Sequence, residues 1–70
     1  MTMGNKLPIR ALRAAKGYTQ QEVAEKIGVS RSTYMNWEKY ETFPDAIQLI
    51  MLASILECSL DAFYFPTNAS

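Results

Sequence analysis

The most constraining feature of this sequence is a set of helix stops and starts placed very close together: Gly17-Tyr18-Thr19-Gln20-Gln21-Glu22, and then Gly28-Val29-Ser30. Glycine supplies the left-handed residue that ends a helix, and a Ser or Thr just beyond it accepts amides of the next first turn. Thr19-Gln20-Gln21-Glu22 is a full capping box, in which the Thr hydroxyl takes the amide three residues on and the Glu carboxylate reaches back to the Thr amide. Tyr18 and Val23 stand at hydrophobic-staple positions around it, as do Val29 and Tyr34 around Ser30. This punctuation predicts a helix over 20–27, about two turns long, and another that opens at Arg31.

Two short helices separated by three residues make a helix-turn-helix pair. The rest of the chain reads as helical too, because no window shows the period-two alternation of a half-buried strand. A first helix over 8–16 follows from Pro8 in its first turn and Gly17 at its end. Ile9, Leu12, Arg13 and Lys16 share one side of it, so the Arg13 guanidinium leans towards the core and needs a partner. Advancing by about 100° per residue along 31–40 puts Tyr34, Trp37 and Glu38 on one side. Ser32, Met35, Asn36 and Lys39 fall on the other, with Arg31 between them at the start. Asp45 and Gln48 form a second capping box behind Pro44 and open a helix over 46–57. Ser59 is read as the cap of a short helix over 60–65 that Pro66 closes. The expected fold is therefore all-α, a compact five-helix bundle, with the polar tail 67–70 frayed. Tyr34 and Trp37 are assigned to packing, and Cys58 to the role of a small core residue.

Seventy residues allow one compact domain, 1–70, and leave no room for a separate sensor or catalytic domain. Without histidine and with Cys58 as the lone cysteine, the chain holds no nucleophile–histidine pair, no zinc quartet and no intramolecular disulfide. Hence no enzyme, metal, cofactor or small-molecule substrate is expected. There is neither a signal peptide nor an apolar run of about 20 residues that could span a bilayer, which suggests a cytoplasmic protein with no membrane partner. The formal net charge of zero argues at first against nucleic acid. Its distribution reverses that argument. All seven basic side chains lie in residues 1–39 beside only Glu22, Glu25 and Glu38, a net of +4, whereas residues 40–70 carry −4.

Taken together, Leu12-Arg13, Gly17 to Ala24, Ile27-Gly28-Val29-Ser30, Trp37-Glu38, Pro44, Leu56 and Ser59-Leu60-Asp61 resemble the phage repressor and Cro-like (Xre-type) helix-turn-helix proteins, over about residues 7–65. The resemblance implies a lambda repressor-like DNA-binding domain whose second helix braces on the DNA backbone and whose third enters the major groove of double-stranded DNA. It assigns base reading to Arg31, Ser32 and Asn36, which taken alone would be an ordinary solvated face. Arg can grip guanine and Asn adenine in two bonds each, and Ser is adaptable. Gln20 matches a phosphate contact of the family, and Thr33 and Lys39 are further phosphate candidates. The resemblance also implies a semi-buried ion pair between Arg13 and Glu38. Two departures stand out. Tyr40 occupies the place where the family commonly has Gly after the third helix, so either its backbone is strained or the loop takes another geometry. The loop that follows, often basic in the family, reads Glu41-Thr42-Phe43.

On the fourth helix Ala46, Leu49, Ile50, Ala53 and Leu56 are read as the core face, while Ile47, Met51 and Ile55 form a second apolar stripe. Either this helix is buried on both sides, under Tyr64 and Phe65, or the stripe is a two-fold self-association surface. A homodimer would let two recognition helices read two half-sites. The function expected is a sequence-specific DNA-binding transcriptional regulator, a repressor acting as a homodimer. The alternative is a protein-interaction module on the same fold, an antitoxin or transcription-machinery adaptor, with Met35 and the acidic loop facing a protein.

Overall fold

Local chemistry at the chain's turns decides where its helices begin and end. The computed structural model describes residues 6–66, so the tail over 67–70 lies outside the described residues. Thr19 Oγ1 accepts from the Glu22 amide at 3.0 Å, and Glu22 Oε1 accepts from the Thr19 amide at 2.8 Å. Asp45 and Gln48 exchange the same two bonds at 2.8 and 2.9 Å. Ser30 Oγ accepts from the Thr33 amide at 3.1 Å. Gly17 and Gly28, at φ 80° and 93°, turn the chain out of the two helices before these caps, a conformation that costs a residue bearing Cβ about 1–2 kcal/mol. The helices are α1 (Ile9–Lys16), α2 (Gln20–Ile27), α3 (Arg31–Glu38) and α4 (Ala46–Leu56).

The expected fifth helix over 60–65 is absent: a single 3-10 turn, Leu60–Ala62, stands in its place. Ser59 makes no side-chain cap bond, and Phe63 is already extended. Backbone pairing explains this. Leu7 and Phe63 form an isolated parallel bridge, in which Leu7 donates its amide to Ala62 O at 2.9 Å and accepts from the Tyr64 amide at 2.8 Å. The amide that would continue a helix is therefore taken by the N-terminal segment. Other ends differ by a residue or two. Pro8 is the cap of α1 and lies outside it, α4 stops at Leu56, and α3 stops at Glu38, short of Tyr40.

Tyr40 resolves the question raised by the missing glycine, since it does adopt the left-handed conformation, at φ 61°. Its ring is held by edge-on contacts with Tyr64 and Phe65, at centroid distances of 6.2 and 5.9 Å, and by Phe43 at 6.3 Å. Its hydroxyl donates to Tyr64 O at 2.7 Å. Aromatic pairs contribute about 0.5–1.5 kcal/mol each beyond burial, enough together to offset the strained backbone.

Ile9, Val23, Ala24, Tyr34 and Leu52 are fully buried, joined by Ile27, Trp37, Leu56 and Phe63. α2 lies between α3 and α4, and α1 braces both of them. Cys58 packs half-buried against this core, and burial pushes its thiol up.

The expected faces of α4 require correction. Its core face is Leu49, Leu52, Ala53 and Leu56, whereas Ile50 is 53% exposed and Ala46 lies at the surface. Ile55, read as part of the outward stripe, packs half-buried against the core. The outward apolar side chains are Ile47, 66% exposed, Ile50, and Met51, 39% exposed. Tyr64 and Phe65 pack on Tyr40 and leave Ile47 and Met51 uncovered, so α4 is not buried on both sides.

Candidate nucleic-acid interface

The residues that orient α3 form one hydrogen-bonded knot. Arg13 Nε donates to Glu38 Oε2 at 2.7 Å, with Nη2 reaching Oε1 at 3.4 Å and Nη1 reaching Tyr18 O at 2.9 Å. The Tyr34 hydroxyl donates to Glu38 Oε2, and Gln20 Nε2 donates to Oε1 at 3.0 Å. Only 5% of the Glu38 side chain and 16% of Arg13 is exposed, and no buried side-chain polar atom is left unpaired among the described residues. Burial by itself would push the Glu38 carboxyl up. The hydrogen bonds from Arg13, Tyr34 and Gln20 outweigh it and hold the carboxyl below its ordinary range. Burial and the bond to Glu38 push the Tyr34 phenol up, while that same carboxylate raises Arg13 further. A charge in this setting stays ionised because three donors replace its water.

With one side of α3 locked against α1 and α2, the other side faces outward as a unit. Arg31 and Ser32 are exposed, Lys39 is exposed, and Thr33, Met35 and Asn36 are half-buried. Thr33 Oγ1 accepts from the Ser30 hydroxyl at 2.9 Å, and Asn36 O accepts from the Glu41 amide at 2.9 Å, which draws the start and end of the helix tight. Arg31 also reaches the N-terminal end of α2. It lines an open cleft of about 610 Å³ with Arg13, Tyr18, Thr19, Gln20 and Gln21. Amides at a helix start and a guanidinium facing one cleft suit an anionic oxygen.

The structure thus brings Arg31 and Gln20 to one cleft and sets Arg31, Ser32 and Asn36 along the outward side of α3, with Lys39 at its C-terminal cap. It draws Arg13 and Glu38 together. Gln20 differs from its expected role in one respect: one of its two amide hydrogens goes to Glu38, so the residue links the locking knot to the cleft. Tyr34 carries more than packing as well, and its spacing four residues before Glu38 was the signal available in the sequence. Among the described residues no cluster of His, Cys, Asp or Glu could hold a metal ion, and no helix is long and apolar enough to cross a membrane.

The chain has relatives among known proteins. The helix-turn-helix family model matches residues 9–63. The HTH-type transcriptional regulator YobD of Bacillus subtilis (strain 168) is 36% identical over 53 residues, covering 76% of this chain and 47% of that protein. The SPbeta prophage-derived HTH-type regulator YonR and the HTH-type regulator ImmR, both of the same organism, are 34% and 33% identical over 61 residues. Each alignment covers 87% of this chain, with 56% of YonR and 46% of ImmR. The chain therefore spans about half the length of the curated relatives it matches. Among solved structures, the P22 c2 repressor protein in complex with a synthetic operator superposes with a TM-score of 0.71 at 36% identity, over 76% of this chain and 80% of that one. The chain belongs to the helix-turn-helix family, among its phage repressor-like (Xre-type) members.

Proposed function

We propose that this chain is a sequence-specific DNA-binding transcriptional regulator, a repressor that acts as a homodimer with α3 in the major groove. The observation that carries the proposal is the outward side of α3 beside the α2 cleft, where Arg31 and Ser32 are exposed, Asn36 is half-buried and every side chain but Met35 is polar. In this reading Arg31, Ser32 and Asn36 contact base edges. Gln20, Thr33 and Lys39 contact phosphate, and the Arg13–Glu38 pair between α1 and α3 holds α3 at the angle the duplex needs. The likeness to a repressor solved on an operator supports the DNA partner and the absence of an enzymatic role. Residues 1–39 supply the positive charge that DNA binding requires.

The homodimer rests on Ile47, Ile50 and Met51, which α4 leaves exposed, while Ile55 of the expected stripe is half-buried against the core. Two copies joined there would present two recognition helices to half-sites about 34 Å apart. A protein-interaction module on this fold would instead turn Met35 and the acidic loop at Glu41 towards a protein, and salt separates the two readings. Binding to duplex DNA at two salt concentrations is expected to give a steep negative slope of log affinity on log salt, and Lys39→Ala is expected to lower that slope by about 1. A flat response with every DNA would overturn the proposal in favour of the module.

A further inference from the structure

The outward side of α3 contains one side chain that neither hydrogen bonding nor charge explains. Met35 stands one turn beyond Arg31 and Ser32 and one turn before Lys39, in an otherwise polar row. It is half-buried, outside the core cluster and the apolar side chains packed on it, so the fold gains little from a thioether there. Tyr34 and Trp37 bury the opposite side of the same helix.

We propose that Met35 reads the C5-methyl group of a pyrimidine in the major groove. This rests on the DNA-reading role proposed for α3. In that groove a methyl group is the one apolar feature of the base edges, and thymine presents it next to the O4 acceptor. Met35 is unbranched and polarizable, and so can settle on a methyl without demanding one fixed orientation. Its neighbour Asn36 is chemically suited to adenine, whose partner in the same base pair is thymine. Adjacent positions on a helix rise by only about 1.5 Å, so an apolar contact from Met35 falls on that pair or the next one. Polar side chains at Arg31, Ser32 and Asn36 would then report donors and acceptors, and Met35 would report the methyl. A 5-methylcytosine carries the same group and would satisfy the same contact.

The test uses duplexes recovered by selection from a random pool with the full chain, each selected thymine being replaced in turn by uracil, which lacks only the methyl. The wild-type protein is expected to lose about fourfold in affinity at one position, the loss that corresponds to one buried methylene-sized group. Met35→Gln, which keeps the length and removes the apolar surface, is expected to bind thymine and uracil duplexes equally well at that position, with an unchanged melting temperature. A parallel selection containing 5-methylcytosine identifies the source of the methyl: enrichment of thymine or of 5-methylcytosine at that position supports the contact with the corresponding base. Tolerance of uracil everywhere, or a uracil penalty that persists in Met35→Gln, overturns the role of Met35 while leaving DNA reading intact. Failure to recover any preferred sequence overturns both.

Discussion

α3 and α4 pack against the same core and treat their outer sides in opposite ways. α3 directs its carboxylate inward, where Arg13, Tyr34 and Gln20 satisfy it, and presents Arg31, Ser32 and Asn36 outward. α4 has only Gln48 and Ser54 as polar residues and exposes Ile47, Ile50 and Met51. Folding alone asks for neither pattern, because a solvated face needs no buried charge behind it and no apolar stripe upon it. α3 is built to be held at a fixed angle with its outer groups free. α4 leaves Ile47, Ile50 and Met51 uncovered among the described residues.

The largest effect should come from the knot behind α3. Glu38→Ala strands the largely buried Arg13, which costs about 3–5 kcal/mol and lowers the melting temperature by roughly 15 °C or more. A variant that melts like the wild type but prefers other DNA would break the assignment of Glu38 to structure. The pH dependence has a defined sign. The folded state holds the Glu38 carboxyl below its unfolded value, near 4.3, so its contribution is complete above that value and is lost as pH falls through the lower folded one. Acid melting curves of Glu38→Gln should therefore be flatter below about pH 4.3 than those of the wild type.

On the α4 side, Ile47→Glu combined with Met51→Glu is expected to leave the fold intact and give a monomer in sedimentation, with DNA binding weaker by at least about tenfold. An unmodified chain that sediments as a monomer at high concentration would mean that the exposed stripe does not join two copies.

The smallest effects should fall on the two left-handed residues without glycine, and they should have opposite signs. Tyr40→Gly relieves its backbone yet loses three aromatic contacts and a hydrogen bond, for a net loss of about 1–2 kcal/mol. Glu57, at φ 56°, pairs its exposed carboxylate with Lys16 at 2.6 Å. Glu57→Gly is expected to raise the melting temperature. A Tyr40→Gly variant that melts above the wild type would mean that the aromatic cluster does not hold the Tyr40 turn.

The capping boxes at Thr19 and Asp45 were legible because donor and acceptor lie three residues apart, and local spacing determines the geometry. The partners of Glu38 were partly legible: the resemblance pointed to Arg13, while Gln20, 18 residues away, left no local sign. The rotation of α4 escaped the sequence for a physical reason, since a helix apolar almost all round offers no polar side to point away from the core. Ile50, read as core, is exposed, and Leu52 is fully buried. The Leu7–Phe63 bridge was invisible because pairing across the chain carries no short-range pattern, and it removed the expected helix over 60–65. Of the candidate site, the row on α3 follows from helical periodicity, but the shared cleft of Arg31 and Gln20 depends on how α2 and α3 meet.

If the outer side of α3 reads bases while its inner side only holds it in place, the two sides must separate in experiment. Parallel selections from a random duplex pool, with wild-type protein and with Arg31→Ala, address this directly. The expected result is a preferred sequence that contains a guanine for the wild type, and for the variant a loss of preference at that guanine worth about 1–3 kcal/mol with the remaining positions retained. A pool without enrichment, or an identical preferred sequence for both proteins, would contradict the division between the two sides.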